Sequence, residues 1–388
     1  MSKHIVAAIS SHGLGHLAQI APIINAMYRQ SVAGQRPAFT LQVRAQLSQD
    51  VLRERIEAPF TCCGTSDDFG MVMHDALRVN LTQSLATYAK LHQHWSEHTE
   101  RVASELASHQ AQALIADTPY LTVAAAKALG IPSVAICSLN WADILHECVR
   151  QCPGALEDAG LSHTRFEQII DQIHNAYASA DLILQPAPAM PSRRLPVKAI
   201  DPLMQAPQEA DRAALLTSIA QHTGRHYQAQ DVWIVLTSMG GLDLPLNPGN
   251  WPRHAYGREL IYLMPAAMAG AWPHTAPFAL ESMSFAHMMA SCDLVLTKPG
   301  YGMFVEATAC AKPIVLLARP QWPESRYLIQ WLDQHNRALE ITDQQMASGE
   351  FAWALEHLLR TTPGVPKRFD GANQAAHAIF ETLWSSQH

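Results

Sequence analysis

The sequence lacks several features that would assign it to a class at once. No apolar run reaches the roughly 20 residues needed to span a bilayer. The net charge is -7 and there is no basic block, so nucleic acid is not an expected partner. The 7 cysteines are odd in number, and Cys62 and Cys63 are adjacent, which is not the spacing of a zinc or redox site. The first residues lack the basic head, apolar stretch and cleavage site of a signal peptide. We therefore expect a cytoplasmic protein with free thiols and no membrane-spanning segment.

The chain does contain a repeated alternation of short apolar strands and helices. At 388 residues, 48% of them hydrophobic, it is too long for one compact core, so two domains are expected. The β–α order predicts an α/β fold with parallel, doubly wound sheets. The predicted domains are residues 1–203 and 204–371, and the last helix, at 372–388, is predicted to pack back on the first domain. The polar residues 61–69 are predicted to form a surface loop.

The stretch 291–336 reads as strand, glycine turn, helix and strand, and it carries the strongest functional signal. Lys298, Gly300 and Gly302 lie in the turn, where glycine lets the backbone approach a ligand closely. The unpaired N–H groups at the start of the helix form a place where an anion can bind. Glu306, one turn into that helix, can accept hydrogen bonds from vicinal hydroxyls such as those of a ribose. The pattern predicts a nucleotide site, although an ordinary turn of a parallel sheet has the same spacing.

A second glycine loop lies near the start of the chain, between a predicted strand and a predicted helix. It differs from a dinucleotide-binding fingerprint because Ala18 occupies the third glycine position and His16 closes the loop. An imidazole at the carboxyl end of a strand can act as a general base in the cleft where open α/β sheets bind ligands. Asp117 ends another predicted strand and is expected at the same edge of the sheet. A histidine that merely caps its helix is the alternative.

Four segments of the chain resemble a known family. They are, in order, SHGLGH, DTPYLTVAAAKALGIPSVAICSLNWADI, LTSMGGLDLP and CDLVLTKPGYGMFVEATACAKPIVLLARPQWPE. The family is that of the GT-B glycosyltransferases, and within it the segments most resemble the glycosyltransferase-like N-terminal half of L-arabinokinases. The GLGH loop is also similar to that of UDP-glycosyltransferases and of the lipid-linked GlcNAc transferases of cell-wall synthesis. The resemblance implies two Rossmann-like, doubly wound domains facing a cleft. The kinase half of L-arabinokinases is absent, so kinase activity is not implied.

The resemblance implies a role for each matching residue. His16 would be the base that deprotonates an acceptor hydroxyl, and Asp117 would hold its imidazole and stabilise the charged form. The residues that would bind the nucleotide sugar are Gly240, Gly241, Phe285, Lys298, Gly300, Tyr301, Gly302, Glu306, Glu324 and Ser325. The loop on the acceptor side would comprise His12, Gly13, Gly15, Asn140 and Trp141. Ser325 stands where the family usually has glutamine, which leaves the donor sugar undetermined.

No metal site is expected. The aspartates Asp67 and Asp68 are adjacent and so lack the spacing of a DxD motif. Asp243 has no second aspartate beside it in its loop. Positive charge for a diphosphate can come instead from a helix N-terminus and from Lys298, which adjoins the glycine turn. Arg319 and Arg326 are further candidates, but each is expected to be a surface or structural charge.

These roles predict an enzyme that moves a sugar from a nucleoside-diphosphate sugar, UDP-linked by resemblance, to an acceptor that no motif identifies. Transfer is expected to proceed with inversion and without a metal. The nucleotide sugar is the expected co-substrate, with no separate cofactor, and the sequence does not indicate an oligomeric state. Two alternatives stay open: a nucleotide-sugar epimerase of the same fold, and a non-catalytic nucleotide-sugar-binding protein.

Overall fold

The protein contains two β-sheets with helices packed around them. A computed structural model describes residues 2–240, 246–269, 272–278, 283–362 and 364–384. The strands of the first sheet are β1 (Lys3–Ile9), β2 (Phe39–Arg44), β3 (Phe60–Cys62), β4 (Ala113–Asp117), β5 (Ser133–Ile136), β6 (Leu182–Pro186) and β7 (Lys198–Ile200). Their order is β3-β2-β1-β4-β5-β6-β7, and neighbouring strands are parallel. This is the strand order of a doubly wound α/β domain.

The helices of this part of the chain connect the parallel strands. They are α1 (Gly15–Val32), α2 (Gln49–Arg55), α3 (Leu81–Gln93), α4 (Trp95–Ser108), α5 (Tyr120–Leu129), α6 (Trp141–Gln151), α7 (Ala155–Asp158) and α8 (His163–Ala178). Their ends follow local sequence signals. Ser162 caps the start of α8 with its side chain, and Gly130 ends α5 in the left-handed conformation that glycine adopts without strain.

The second sheet repeats this topology. Its strands are β8 (Val232–Ser238), β9 (His254–Ala255), β10 (Arg258–Met264), β11 (Thr275–Pro277), β12 (Leu294–Thr297), β13 (Ile314–Leu317) and β14 (Ala338–Ile341). The order is β11-β10-β8-β12-β13-β14, with β9 antiparallel to β10. The helices are α9 (Arg212–Thr223), α10 (Ala266–Ala269), α11 (Phe285–Ser291), α12 (Tyr301–Ala309), α13 (Ser325–His335), α14 (Asp343–Ser348), α15 (Ala352–Arg360) and α16 (Gly371–Trp384), with a short 3-10 helix at Pro248–Asn250.

Both sheets are buried on both faces. In β1, Ile5 belongs to one apolar core and Val6 to the core on the other side, and in β8 the same alternation separates Ile234 from Val235. Successive residues of a strand point to opposite faces, so a strand buried on both sides reads as a continuous apolar run. The prediction of an α/β fold with doubly wound parallel sheets is confirmed. None of the helices in the described ranges is long and apolar enough to cross a bilayer.

The chain passes between the two sheets twice. One crossing, residues 201–211, follows β7, and the other, residues 361–370, precedes α16. α16 packs against α1, and its Ala375 and Ile379 lie in the core that also contains Ile20. The predicted domain limits at residues 203 and 371 stay predictions.

The crossing after β7 is hydrogen-bonded to α16. The backbone N–H of Asp201 donates to Gln374 Oε1 at 2.9 Å, and Gln374 Nε2 donates to Asp201 Oδ2 at 3.0 Å. A Cβ at Gly371 would collide with the carbonyl oxygen of Asp201 and lie 2.6 Å from that of Pro202. A glycine at the start of α16 therefore allows this close approach.

Gly371→Ala should destabilise the fold, because a methyl group at this position has no space. Forcing extra atoms into a packed contact typically costs about 1–3 kcal/mol, so the melting temperature should fall. Gly364→Ala is the matched control, since its added Cβ would meet Ala311 Cβ at an ordinary 3.5 Å. Thermal unfolding of both variants provides the test, and equal melting temperatures would contradict the packing argument.

Candidate active site

The two sheets place corresponding loops around one cavity. In the first sheet β1 lies between β2 and β4, and in the second β8 lies between β10 and β12. Open α/β sheets bind ligands beyond the carboxyl ends of the strands at such points. The loops after β1 and β8 are so close that a Cβ on Gly13 would lie 3.3 Å from the carbonyl oxygen of Gly240. Residues from both sheets line the cavity between them, whose volume is about 310 Å³.

His16 lines this cavity and is held by a buried carboxylate. It lies in the first turn of α1, after β1, and Asp117 ends the adjacent strand β4. His16 Nδ1 is 2.8 Å from Asp117 Oδ1. With Nδ1 donating to the carboxylate, Nε2 of the neutral ring is free to accept a proton, and it has no hydrogen-bond partner among the described residues. The structure thus brings the predicted base and its predicted partner into direct contact.

The surroundings of His16 favour the charged ring. Burial opposes the charge, but the charge and hydrogen bond of Asp117, together with the charges of Asp68 and Glu324, outweigh it and raise the pKa of His16. Burial raises the pKa of Asp117 as well. An imidazole with a raised pKa holds a proton firmly once it has taken it up, which suits a general base.

The segment predicted as a surface loop contains two carboxylates that support the site. Asp67 is buried and ion-paired with Arg44. Asp68 Oδ2 accepts a hydrogen bond from the indole N–H of Trp141 at 2.6 Å, and its backbone oxygen accepts one from Ser11 Oγ at 2.8 Å. Asp68 therefore fixes the first glycine loop against α6. The surface-loop prediction is wrong for Asp67, which is buried, because a polar composition does not show which side chains find buried partners.

His12 lies between residues of both sheets. Its ring stacks on Trp322 with the centroids 5.1 Å apart and meets Trp141 edge-on at 5.2 Å. The N–H of Met71 donates to His12 Nδ1 at 3.4 Å, so Nε2 carries the proton of the neutral ring. That nitrogen is buried without a partner in the described part of the chain. Burial, and then the charge of His16, lower the pKa of His12 well below its ordinary value, so the ring is neutral at pH 7.

The other residues predicted on the acceptor side differ in their surroundings. Gly15 lines the cavity, whereas the side chain of Asn140 caps α6 by accepting a hydrogen bond from the N–H of Asp143 at 2.9 Å. Trp141 is fully buried, and its indole packs against the rings of His12 and His16. Gly241, predicted to bind the donor, lies outside the described residues. In the described ranges, no group of three His, Cys, Asp or Glu side chains is placed to hold a metal ion.

The start of α12 presents positive charge to the cavity. Within the described part of the chain, no side chain caps this helix, whose N-cap residue is Gly300. Lys298, just before it, is buried, and a Cβ on Gly240 would lie 3.4 Å from its Nζ. Burial, and then the charge of Arg319, lower the pKa of Lys298 to about 7. A buried amine beside open backbone N–H groups forms a site for an anion.

Tyr301 and Gly302 hold α12 against the first sheet. The hydroxyl of Tyr301 donates to the carbonyl of Ala187 at 2.9 Å and accepts from the N–H of Leu203 at 2.8 Å. A Cβ on Gly302 would lie 2.9 Å from the Cβ of Ala18 in α1. The hydroxyl of Tyr301 is therefore bonded to backbone groups, although Tyr301 lines the cavity, and Gly302 is required for the contact between the two helices.

Glu306 forms an ion pair that spans the two sheets. Its Oε1 accepts a hydrogen bond from Nη1 of Arg55, at the end of α2, at 2.8 Å. The guanidinium of Arg55 also lies 5.5 Å from the ring centroid of Phe285, and the backbone oxygen of Arg55 accepts from Gln205 Nε2 at 2.8 Å. The charge of Glu306 raises the pKa of Arg55. No sequence motif pointed to Arg55, which meets its partner only through the packing of the two sheets.

The residues after β13 complete the cavity. Arg319 is only 4% exposed, so of the two roles expected for it, a surface or a structural charge, the surface role is excluded; its guanidinium lies 4.3 Å from the ring centroid of Trp322. Glu324 Oε2 accepts from the indole N–H of Trp322 at 3.1 Å. Glu324 Oε1 and Ser325 Oγ are buried with no partner in the described ranges. Arg326, by contrast, is half-exposed and pairs with a carboxylate of α6.

Comparisons with known proteins show what the whole chain is similar to. No family model matches the chain. It is 24% identical to L-arabinokinase of Arabidopsis thaliana over 391 residues, which cover 98% of the chain and 35% of that protein. The chain thus spans about a third of the length of this curated relative.

Solved structures share the arrangement over the whole chain. A UDP-glucosyltransferase from Polygonum tinctorium, described as capable of glucosylating indoxyl, is 14% identical with a TM-score of 0.60, and the match covers 100% of both chains. UGT2 of Phytolacca americana, solved with UDP-2-fluoroglucose and pterostilbene, is 15% identical with a TM-score of 0.55 over 98% of this chain and 94% of that one. The glycosyltransferase VinC, in complex with dTDP, is 14% identical with a TM-score of 0.55 over 98% and 95% of the two chains.

These similarities define the fold class. The chain has the GT-B fold, with two Rossmann-like domains facing a cleft, as the sequence predicts. The predicted resemblance to L-arabinokinases is likewise confirmed, over a region that is a third of such a protein.

Proposed function

We propose that this protein is a glycosyltransferase that moves a sugar from a nucleoside-diphosphate sugar to a hydroxyl acceptor, with inversion and without a metal ion. The proposal depends above all on one observation. The pair of His16 and Asp117 on the first sheet faces Lys298 and the uncapped start of α12 on the second, across a single cavity. A base and an anion site that line the same cavity are the two requirements of the reaction.

The reaction would begin with proton transfer. His16 Nε2 takes the proton of the acceptor hydroxyl, and the negative charge of Asp117 stabilises the resulting imidazolium. The acceptor oxygen attacks the anomeric carbon from the side opposite the diphosphate, so the configuration inverts. The bond between that carbon and the diphosphate oxygen breaks, and the diphosphate leaves with the electron pair. Lys298 and the N–H groups of α12 stabilise its charge.

The nucleoside would lie between Phe285 and Glu306. One oxygen of Glu306 is bonded to Arg55, while the other has no partner among the described residues and can accept from a ribose hydroxyl. Phe285 lines the same cavity and offers a ring face to a base. Two of the similar structures are complexes with dTDP and with UDP-2-fluoroglucose, which supports a pyrimidine nucleotide as the donor here.

Glu306→Ala should weaken the affinity for UDP by about 1–3 kcal/mol, because ribose hydroxyls and Arg55 would lose their buried partner. The measurement is calorimetric titration in buffer with EDTA, where wild-type binding should persist. Glu340→Ala, at an exposed site on β14, should leave the affinity unchanged. Equal affinity for Glu306→Ala and wild type would refute the ribose role, and binding only with added magnesium or manganese would refute metal independence.

An epimerase acting on the nucleotide sugar itself is the second candidate. It needs carboxylates in the cleft besides Asp117, and Glu324 supplies one whose Oε1 has no partner in the described residues. A screen of nucleotide sugars with and without cell extract separates the two. A transferase releases nucleotide faster when an acceptor is present, whereas an epimerase converts the donor alone, and a purely binding protein does neither.

A further inference from the structure

The guanidinium of Arg319 has an open edge within the cavity. Arg319 follows β13, the strand beside β12, and it lines the cavity although it is almost fully buried. Its Nε and Nη2 atoms are buried and have no hydrogen-bond partner among the described residues. No carboxylate in those residues forms an ion pair with it either, although Arg326 nearby has one. Burying a cation without a partner is costly, so a ligand is expected to complete this site.

The two open atoms determine which chemical group fits. Nε and Nη2 form one edge of the guanidinium, and their N–H bonds point in nearly the same direction. Such an edge matches the two oxygens of a carboxylate or a phosphate, which accept both hydrogen bonds at once. The ring of Trp322 lies 4.3 Å from the guanidinium carbon and keeps the plane in place. A single neutral hydroxyl cannot satisfy both N–H groups in this way.

The neighbours of Arg319 are suited to a sugar. Glu324 Oε1 and His12 Nε2 are also buried without a partner in the described chain, and both residues line the cavity. Glu324 Oε1 can accept a hydrogen bond from a sugar hydroxyl, and His12 Nε2 can donate one. Both lie beside the indole of Trp322. The diphosphate is proposed to bind Lys298 and the start of α12, which follow β12, whereas Arg319 follows the neighbouring strand β13. With the diphosphate at Lys298, the open edge of Arg319 is left for a neighbouring group of the same donor, which is the transferred sugar.

We infer that Arg319 binds an oxyanion of the substrate, and that this oxyanion is a carboxylate on the transferred sugar, as in a uronic acid. The inference rests on the proposed function, since it takes the diphosphate to lie at Lys298. The same chemistry has one other source, the diphosphate of the donor, and the experiment below distinguishes the two.

The test is calorimetric titration of wild type, Arg319→Gln, Arg319→Lys and Arg326→Gln. The probes are UDP, UDP-glucose, UDP-glucuronate and inorganic pyrophosphate. Wild type should prefer UDP-glucuronate to UDP-glucose by roughly 10- to 150-fold, the range for hydrogen bonds to a charged group. Arg319→Gln should abolish this preference and leave the affinity for UDP unchanged. Arg319→Lys, which keeps the charge but not the paired N–H groups, should restore part of it, and Arg326→Gln should behave as wild type.

Each other outcome has a definite meaning. An equal loss of affinity for every probe, pyrophosphate included, would support the oxyanion site but place the diphosphate there and overturn the uronic acid. An Arg319→Gln variant that binds all probes as wild type does would overturn the inference. If melting shows that Arg319→Gln is unfolded, Arg319→Lys alone carries the test. A wild type that binds no nucleotide would overturn the proposed function. In that case, binding of pyrophosphate that depends on Arg319 would still support the oxyanion site. If pyrophosphate does not bind either, the oxyanion site is overturned as well.

Discussion

His16→Ala should reduce sugar transfer by about 10²–10⁴-fold, because a positioned general base typically contributes that much. Its position is set by the 2.8 Å hydrogen bond from Nδ1 to Asp117, which leaves Nε2 for the acceptor hydroxyl. The affinity for UDP should change little, since the nucleotide is proposed to bind on the second sheet. The measurement is the initial rate of nucleotide release with an acceptor found by the extract screen, together with titration of UDP.

Two further variants sharpen this prediction. Asp117→Asn should also slow transfer, because an amide does not stabilise the imidazolium. His94→Ala, at an exposed position between α3 and α4, should transfer at the wild-type rate. Only the neutral ring accepts a proton, so the wild-type rate should rise with pH through the raised pKa of His16. A His16→Ala variant with wild-type turnover would mean that this histidine only starts α1.

The affinity for a UDP-sugar should fall above a pH of about 7, the value to which burial and Arg319 lower the pKa of Lys298. The diphosphate binds the protonated amine and favours it. Below this pH the amine is already charged and the affinity is level; above it, binding requires uptake of a proton and weakens by up to about tenfold per pH unit. Titration of a UDP-sugar over about three pH units, from roughly pH 6 to 9, gives the slope.

Lys298→Met should remove this pH dependence and weaken binding at low pH by roughly 10- to 150-fold, the range for losing a hydrogen bond to a charged group. Lys312→Met is the matched control, because Lys312 precedes β13 and so lies at the opposite end of the sheet from the cavity. Its slope should equal that of the wild type. A Lys298→Met variant that retained the slope would assign the titration to another group.

The parts of the site that the sequence could predict are those determined by the chain order of a parallel sheet. His16 follows β1 and Asp117 ends β4, and both strands carry the apolar runs that mark them as buried. Parallel neighbours end at the same edge, so the two side chains were expected to lie close together, and the structure has them in hydrogen-bond contact. The turn after β12 was predictable for the same reason, since a glycine turn between strand and helix has a recognisable spacing.

The remaining parts depend on contacts between distant segments. Arg55 and Glu306 are 251 positions apart and belong to different sheets, so no local pattern connects them. The burial of Arg319 follows from the packing of Trp322 against the first sheet, which the residues around Arg319 do not indicate. Asp68 lies in a polar segment that composition assigns to the surface, yet the indole of Trp141 reaches it from α6. Tertiary packing, rather than propensity, decides all three.

The crossing after β7 is hydrogen-bonded to the start of α16, where the second crossing ends, through Asp201 and Gln374. A body joined by one flexible segment can swing in any direction, whereas a body joined by two segments that are bonded to each other turns mainly about one axis through them. The hydroxyl of Tyr301, bonded to the N–H of Leu203, adds a contact between α12 and the same crossing. We therefore expect the cleft to open mainly along one angle. One pair of fluorescent labels placed across its mouth should then report most of the motion.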